Sequence, residues 1–260
     1  MSNFDLINLN NVTDSFETFK SASPFDHCVI ENFFKPEIAN QLSDEIPDFD
    51  SEFWHEYSNP LEIKKTCNDW NRFPKLTYNA FSFLNSELFV NYLKGVAGVS
   101  SLFADSGLNG GGWHIHSNGG KLNPHLDYSL HPKVTLQRKL NIIIYLEKEW
   151  QPQWGGYLGL YTNKDCKVKD VEVEIEPKFN RAIFFDTTQD SWHGLSREVS
   201  TPEGVCRKSM ALYYLTIPPH DVDTRAKALF SPTEDQAEDD SVEELIRKRC
   251  NVKSASSFYR

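Results

Sequence analysis

TLQRKLNIIIYLEKEW, residues 135–150, is the stretch on which the fold turns. Read with the two-residue period of a β-strand, it puts Asn141, Ile143 and Tyr145 on one face and Leu140, Ile142, Ile144 and Leu146 on the other. VEVEIEP (171–177), RAIFFD (181–186) and RKSMALYYLT (207–216) are similarly rich in β-branched and aromatic residues or strictly alternating. Gly155-Gly156 and Pro177 punctuate these runs. From about residue 100 to 218 the chain therefore reads as short strands joined by turns, which predicts a β-sandwich or barrel.

The first hundred residues have a different rhythm. Pro36 suits a first helical position and Glu37 a first turn, and Ile38, Leu42 and Ile46 recur at helical spacing until Pro47. Ser86 is placed to cap a second helix, whose stripe is Leu88, Phe89, Tyr92 and Leu93 and whose end is expected at Gly95. Beyond Asp221 the chain turns polar. Ser241 and Glu244 form a capping-box pattern for a short helix bearing Val242, Leu245 and Ile246, with Arg247, Lys248 and Arg249 at its end. That helix is expected to be peripheral.

The 260 residues carry a net charge of -10, which argues against a phosphate-tracking surface, so no nucleic-acid partner is expected. No apolar run approaches the ~20 residues of a membrane span, so no membrane is expected either. MSNFDLINLNN, at the start, has neither the basic nor the apolar region of a signal peptide. The five cysteines, Cys28, Cys67, Cys166, Cys206 and Cys250, are odd in number and contain no C-x-x-C pair, which fits reduced thiols. A cytoplasmic location is the expectation.

Three of the eight histidines fall in WHIHSNGGKLNPHLDY, residues 113–128. Its end, His125-Leu126-Asp127, is an H-x-D triplet, and on a strand the imidazole and the carboxylate share one face. Those groups can fill two positions on a divalent metal, and one more histidine completes a facial two-histidine, one-carboxylate triad with open sites for a cosubstrate and O₂. His193, in QDSWHGLS shortly after the strand RAIFFD, is the candidate. An open Fe(II) site needs a source of electrons. If that source is 2-oxoglutarate, its far carboxylate requires a cation. Arg207 opens a strand 14 residues after His193, Ser209 shares its face, and Lys208 points the other way.

The ordered set H-x-D, R-x-x-N-x-x-x-Y-L-x-x-x-W, G-G-x-L, H-G and R-x-S, spanning His125 to Ser209, resembles the Fe(II)/2-oxoglutarate-dependent oxygenase superfamily. It is most similar to the prolyl 4-hydroxylase-like branch, and PFDHCVIENFFKPEIANQL (24–42) resembles that branch's N-terminal opening. The resemblance implies a mainly β fold, a double-stranded β-helix or jelly roll with flanking helices. Iron would be held by His125, Asp127 and His193, and 2-oxoglutarate by Arg207. Ser209, Tyr145 and Asn141 would add contacts to the cosubstrate, and a further contact would fall at His114 or His116. It also implies oxidative decarboxylation of 2-oxoglutarate to succinate and CO₂ with hydroxylation of an unactivated C–H bond, ascorbate being a supporting reductant. A carboxylate at Asp127 fills the site that halogenating relatives leave for chloride, which favours hydroxylation.

On this reading residues 1–99 are a helical and mixed support region, 100–220 the oxygenase core, and 221–260 a polar extension with a short helix. The substrate is a peptidyl residue such as proline, or a small molecule. Two alternatives remain: a non-catalytic jelly-roll module that binds or senses a ligand, and a zinc hydrolase, which has no use for Arg207 and Ser209 and shows no general base. Trp113, Trp150, Trp154 and Trp192 are expected to pack in the core or rim, with Trp154 placed to touch substrate and Tyr128 to line the entrance. His131 and His220 are expected in solvent, His27 and His55 as structural or exposed, and Arg138 as structural. Residues 52–72, with Trp54, His55, Tyr57, Trp70 and Asn71, show no clean periodicity and are expected to form a lid.

Overall fold

The alternation in 135–150 becomes a buried strand with two unlike faces. In the computed structural model, which describes residues 4–163 and 168–250, Leu140, Ile142, Ile144 and Leu146 join the main apolar core, while Asn141 and Ile143 face a cavity. Of the five cysteines, Cys28, Cys67, Cys206 and Cys250 are free thiols, and Cys166 lies outside the described residues. None of the described helices is long and apolar enough to cross a membrane.

The first part of the chain supplies α1 (Leu9–Phe16), β1 (His27–Ile30), α2 (Pro36–Asp44), β2 (His55–Asn59), β3 (Glu62–Cys67), α3 (Lys75–Leu84) and α4 (Glu87–Ala97). Ten strands follow: β4 (Phe103–Ala104), β5 (Gly112–His116), β6 (Lys121–Leu122), β7 (His125–Leu126), β8 (Gln137–Tyr145), β9 (Leu158–Asn163), β10 (Val168–Ile175), β11 (Ala182–Asp186), β12 (Trp192–Leu195) and β13 (Arg207–Thr216). The chain then adds β14 (Leu229–Phe230) and α5 (Asp240–Cys250). They form two antiparallel sheets. The larger has the order β1-β11-β8-β13-β5-β3-β2, with β4 on β13 and β6 on β3. The smaller is β10-β9-β12-β7-β14. Curled face to face, they make the jelly roll that the resemblance implied.

Each side of the larger sheet has its own task. Its outer face, with Phe184, Met210, Leu212, Tyr214 and Trp113, buries the apolar sides of α1 to α4. Its inner face packs Tyr145, Ile183 and Phe185 against Leu158, Leu160 and Ile175 of the smaller sheet, which fills one end of the sandwich. The other end stays open as the cavity.

Several local expectations need correction. The helix capped by Ser86, whose hydroxyl accepts from the Phe89 N–H, runs through Gly95 and ends at Ala97. Gly98, at φ 60, supplies the left-handed turn that stops it, and Leu88 lies in solvent rather than in the stripe. The first turn of α5 is capped by Asp239, whose carboxylate accepts from the backbone and hydroxyl of Ser241, so Ser241 is not the cap. Residues 55–67, within the expected lid, are a hairpin hydrogen-bonded through β3 to β5 and so continue the larger sheet.

Asn180 shows how the N-terminal segment is fastened on. It sits at φ 60 in the turn before β11, buried, and its amide both accepts from the Phe34 N–H at 2.9 Å and donates to the Phe34 carbonyl at 2.7 Å. Asn180→Ala leaves the Phe34 N–H unpaired, its carbonyl keeping the Asn8 amide at 3.1 Å, and strains the left-handed position, a loss of roughly 2–4 kcal/mol. The urea midpoint is expected to fall accordingly, with Asn180→Gly about 1 kcal/mol less damaging because it removes only the side-chain bonds. Equal midpoints for wild type and Asn180→Ala would refute this account.

Candidate active site

Two very short strands place the candidate metal ligands. β12 pairs with β7 so that His193 stands directly opposite His125, with ring centroids 4.4 Å apart. Asp127 follows on the same side. One nitrogen or oxygen from each of His125, Asp127 and His193 lies within 4.8 Å of the other two, a span that one divalent ion bridges.

The hydrogen bonds around them leave the ligand atoms free. Nδ1 of His125 donates to the Asn123 carbonyl at 3.0 Å, and Nδ1 of His193 donates to the Ser191 carbonyl at 2.8 Å. Each tautomer therefore presents an Nε2 lone pair. Oδ1 of Asp127 accepts from Nη1 of Arg138 at 2.9 Å, while Oδ2 is buried with no hydrogen-bond partner. An orphaned carboxylate oxygen beside two free imidazole nitrogens is what a bound cation would satisfy.

Arg138 is more than structural. Its guanidinium lies between the rings of Tyr128 and Tyr213, at 3.5 and 3.3 Å from their centroids, and donates to the Asn109 carbonyl at 2.9 Å. Strict alternation would put Arg138 on the Leu140 face, away from the site. The register shift between Tyr214 and Leu215 pairs Leu140 and then Arg138 with successive residues of β13. Lys139 is skipped, and that bulge turns Arg138 inward.

Behind the metal position, the cavity of about 340 Å³ has an arginine waiting for an acid. Arg207 is 4% exposed and makes no ion pair among the described residues; its Nε donates to the Gly156 carbonyl at 2.8 Å. Gly156, at φ 62, lets the backbone come this close, because a Cβ there would stand 3.0 Å from Cδ of Arg207. Ser209 shares the face of Arg207, and the Tyr145 ring lies 4.9 Å from the guanidinium. The Tyr145 hydroxyl, the Asn141 Oδ1 and both ring nitrogens of His116 are buried without hydrogen-bond partners. The Tyr145 hydroxyl and one His116 N–H can donate to the oxygens of 2-oxoglutarate; the Asn141 Oδ1 only accepts, so Asn141 can meet those oxygens only through its amide N–H. The contact expected at one of His114 and His116 is available from both: His114 stands opposite Ser209, His116 opposite Arg207, and both line the cavity.

Electrostatics keeps the set in one protonation state. Burial, then Lys64 and Arg207, hold His114 down at about 3, and burial followed by His193 does the same for His125. His116 and His193 are lowered as well, chiefly by burial. For Asp127 burial pushes upward, but Arg138 and the two histidines outweigh it and set the carboxyl at about 2.

Other expected positions turn out differently. His131 is buried, its Nδ1 accepting from the Lys133 N–H and its Nε2 3.5 Å from Asp105, so it braces a turn rather than meeting solvent. Trp154 packs edge-on against Trp150 and is absent from the cavity wall. His55, expected to be structural or exposed, is exposed and lines the cavity with Tyr57 from the hairpin. The C-terminal helix is not peripheral: Arg249 is buried, pairs with Glu62 at 2.5 Å and lines the cavity. Phe230 stacks on the His125 ring at 5.0 Å. No periodicity in the polar tail pointed to these contacts.

A jelly roll with this triad at one end and, behind it, a buried arginine without an ion pair among the described residues has the groups that Fe(II) and 2-oxoglutarate would need. The family profile described as the 2OG-Fe(II) oxygenase superfamily matches residues 111–215, a stretch that holds His125, Asp127, His193 and Arg207. Prolyl 3-hydroxylase OGFOD1 of Mus musculus is 26% identical over 213 residues, which are 75% of this chain and 34% of the mouse protein. The chain thus spans about a third of the length of that relative. In fold it is similar to a Trichoplax adhaerens prolyl hydroxylase solved with a hypoxia inducible factor peptide (TM-score 0.53, 19% identity, 79% of this chain and 88% of the other). HygX from Streptomyces hygroscopicus, solved with nickel and 2-oxoglutarate, matches at TM-score 0.53 with 11% identity, covering 78% of this chain and 86% of its own.

The neutral histidines have a measurable consequence. Unfolded imidazoles titrate near 6.5, whereas His114 and His125 stay neutral in the fold down to about 3. Below pH 6.5 the unfolded chain binds protons that the folded chain refuses, so stability falls with pH, by up to about 1.4 kcal/mol per unit for each such histidine. Asp127 and Glu62, both held at about 2, add their own loss only below about pH 4. The melting temperature of the metal-free protein is expected to drop between pH 6.5 and 4.5; a flat profile there would show that the histidines are not held neutral.

Proposed function

We propose that the protein is an Fe(II)- and 2-oxoglutarate-dependent dioxygenase that hydroxylates an unactivated C–H bond, with a prolyl residue of a peptide as the substrate best supported. The observation that carries this reading is the coexistence, in one cavity, of the His125–Asp127–His193 set and the buried Arg207. The prolyl part rests on the relatives, several of which are prolyl hydroxylases.

Bound here, iron and 2-oxoglutarate supply the oxidation: one atom of O₂ enters succinate as CO₂ leaves, and the other becomes the substrate hydroxyl. The chain's residues orient and enclose. His125, Asp127 and His193 would hold the metal, and Arg138 holds Asp127 by one oxygen so that the other stays free. Arg207 would take the far carboxylate of 2-oxoglutarate, with Ser209, Tyr145 and Asn141 around it. Leu158 and Ile143, apolar parts of the wall, restrict water.

A non-catalytic module would keep the fold without needing the four site residues together. A zinc hydrolase would leave Arg207 without a role.

Anaerobic protein with Fe(II) and 2-oxoglutarate is expected to show the weak visible charge-transfer band of the chelate. Asp127→Ala should abolish it. Arg207→Ala should keep iron but weaken 2-oxoglutarate on the order of a hundredfold, as loss of one partner of a buried charge pair does. In air, proline-containing peptides should raise succinate release. Iron-loaded protein with no band, or a band unaltered in Asp127→Ala, would overturn the enzyme reading.

A further inference from the structure

The hairpin side of the cavity holds a cation that the proposed reaction does not use. Glu62, Lys64 and Thr66 alternate along β3 and all face inward. Glu62 is 2% exposed and binds two cations, Arg249 through one oxygen at 2.5 Å and Lys64 through the other at 3.0 Å. Lys64 passes over the Tyr57 ring at 5.3 Å, and its side chain is 13% exposed.

A charge count of the loaded cavity isolates Lys64. Lys64, Arg138, Arg207 and Arg249 face two carboxylates, Glu62 and Asp127. If iron and 2-oxoglutarate cancel each other, two positive charges remain in excess. One is Arg207, facing the cosubstrate; the other belongs to the Glu62 group, where Arg249 and the more exposed Lys64 share a single carboxylate, Asp127 being met by Arg138. Lys64 then stands as an added positive charge in the wall, within a chain whose net charge is -10. A cation held in a low-dielectric cavity is costly unless an anion meets it, and clefts of one sign concentrate ligands of the other. Thr66, Asn68 and His114, which add no charge, line the same side.

We infer that Lys64 is the anchor for an anionic group on the substrate, a carboxylate or phosphate, and so a determinant of substrate choice. This rests on the oxygenase reading and names the substrate class that reading leaves open. The anion is either an acidic side chain beside the reacting residue of a peptide or the free acid group of a small molecule. Glu62 and Arg249 hold the lysine in place and are positioning residues.

The test measures binding to protein loaded with Mn(II) and 2-oxoglutarate, by calorimetry, in two arms. One compares prolyl tripeptides flanked by glutamate, glutamine or lysine; the other compares N-acetylproline with N-acetylprolinamide. The acidic member of at least one arm should bind about tenfold or more tightly than its neutral counterpart. Lys64→Gln should erase that preference and Lys64→Arg keep it, while the Fe(II)–2-oxoglutarate band persists in both. The arm that shows the preference identifies the anion's source. Equal binding of acidic and neutral members, preference for lysine, no binding of any probe, or a preference surviving in Lys64→Gln would each overturn the inference. Absence of the band instead overturns the oxygenase reading, and the acid preference is scored on the same samples either way.

Discussion

Asp127 is gripped at one oxygen and open at the other, and the site depends on that asymmetry. A buried carboxylate is stable only if its charge is met, yet a metal ligand must keep a lone pair free. The Arg138 guanidinium resolves the conflict by taking Oδ1 at 2.9 Å and leaving Oδ2 bare. Such an arginine must itself be paid for: two tyrosine faces and the Asn109 carbonyl supply its remaining contacts. Gly110 contributes by lacking a side chain, since a Cβ there would stand 3.2 Å from Nη2 of Arg138. The skipped residue in β8 aims the whole assembly inward.

The histidines depend on strand pairing of the shortest kind. β7 contributes two residues, too few to hold themselves, and is secured from both sides. On one side β12 sets His193 opposite His125. Gly194 permits this closeness, because a Cβ would meet the Leu122 and Asn123 backbone at 2.8 Å. On the other side β14 pairs with β7, Phe230 stacks on His125, and Arg225 donates to the Asp127 carbonyl at 2.6 Å. The C-terminal segment is thus part of the support of the candidate metal site, and through Arg249 and Glu62 it also ties the hairpin wall to the same frame.

How much of this was legible in the sequence follows from the range of each interaction. His125, Asp127, Arg207 and Ser209 could be placed because the two-residue period fixes which side chains share a face. His193 could be placed because a histidine beside a glycine after a strand suits a pairing edge. Arg138 could not, because a bulge reverses the parity on which the reading relied. The C-terminal contacts could not, because Arg249 meets a partner 187 positions away and its helix carries charges that read equally well as a solvated face. His131 fails for a related reason: a proline-adjacent histidine looks solvated until Asp105, brought by another turn, covers it.

Depth imposes an order on filling the cavity. Arg207 is 4% exposed and lies at the inner end, whereas His55 at the hairpin is exposed to solvent. A substrate seated against the hairpin would stand between solvent and Arg207, so on the proposed reaction 2-oxoglutarate would have to enter first. The electrostatics agree. Before the cosubstrate binds, a metal ion and four basic side chains face two carboxylates, and a dianion gains most from that field. With it in place, Arg207 would face a carboxylate and His114 and His116 stay neutral, while the Glu62 group keeps one cation more than its carboxylate. The remaining attraction is then concentrated at the hairpin, beside Lys64, where the last component arrives.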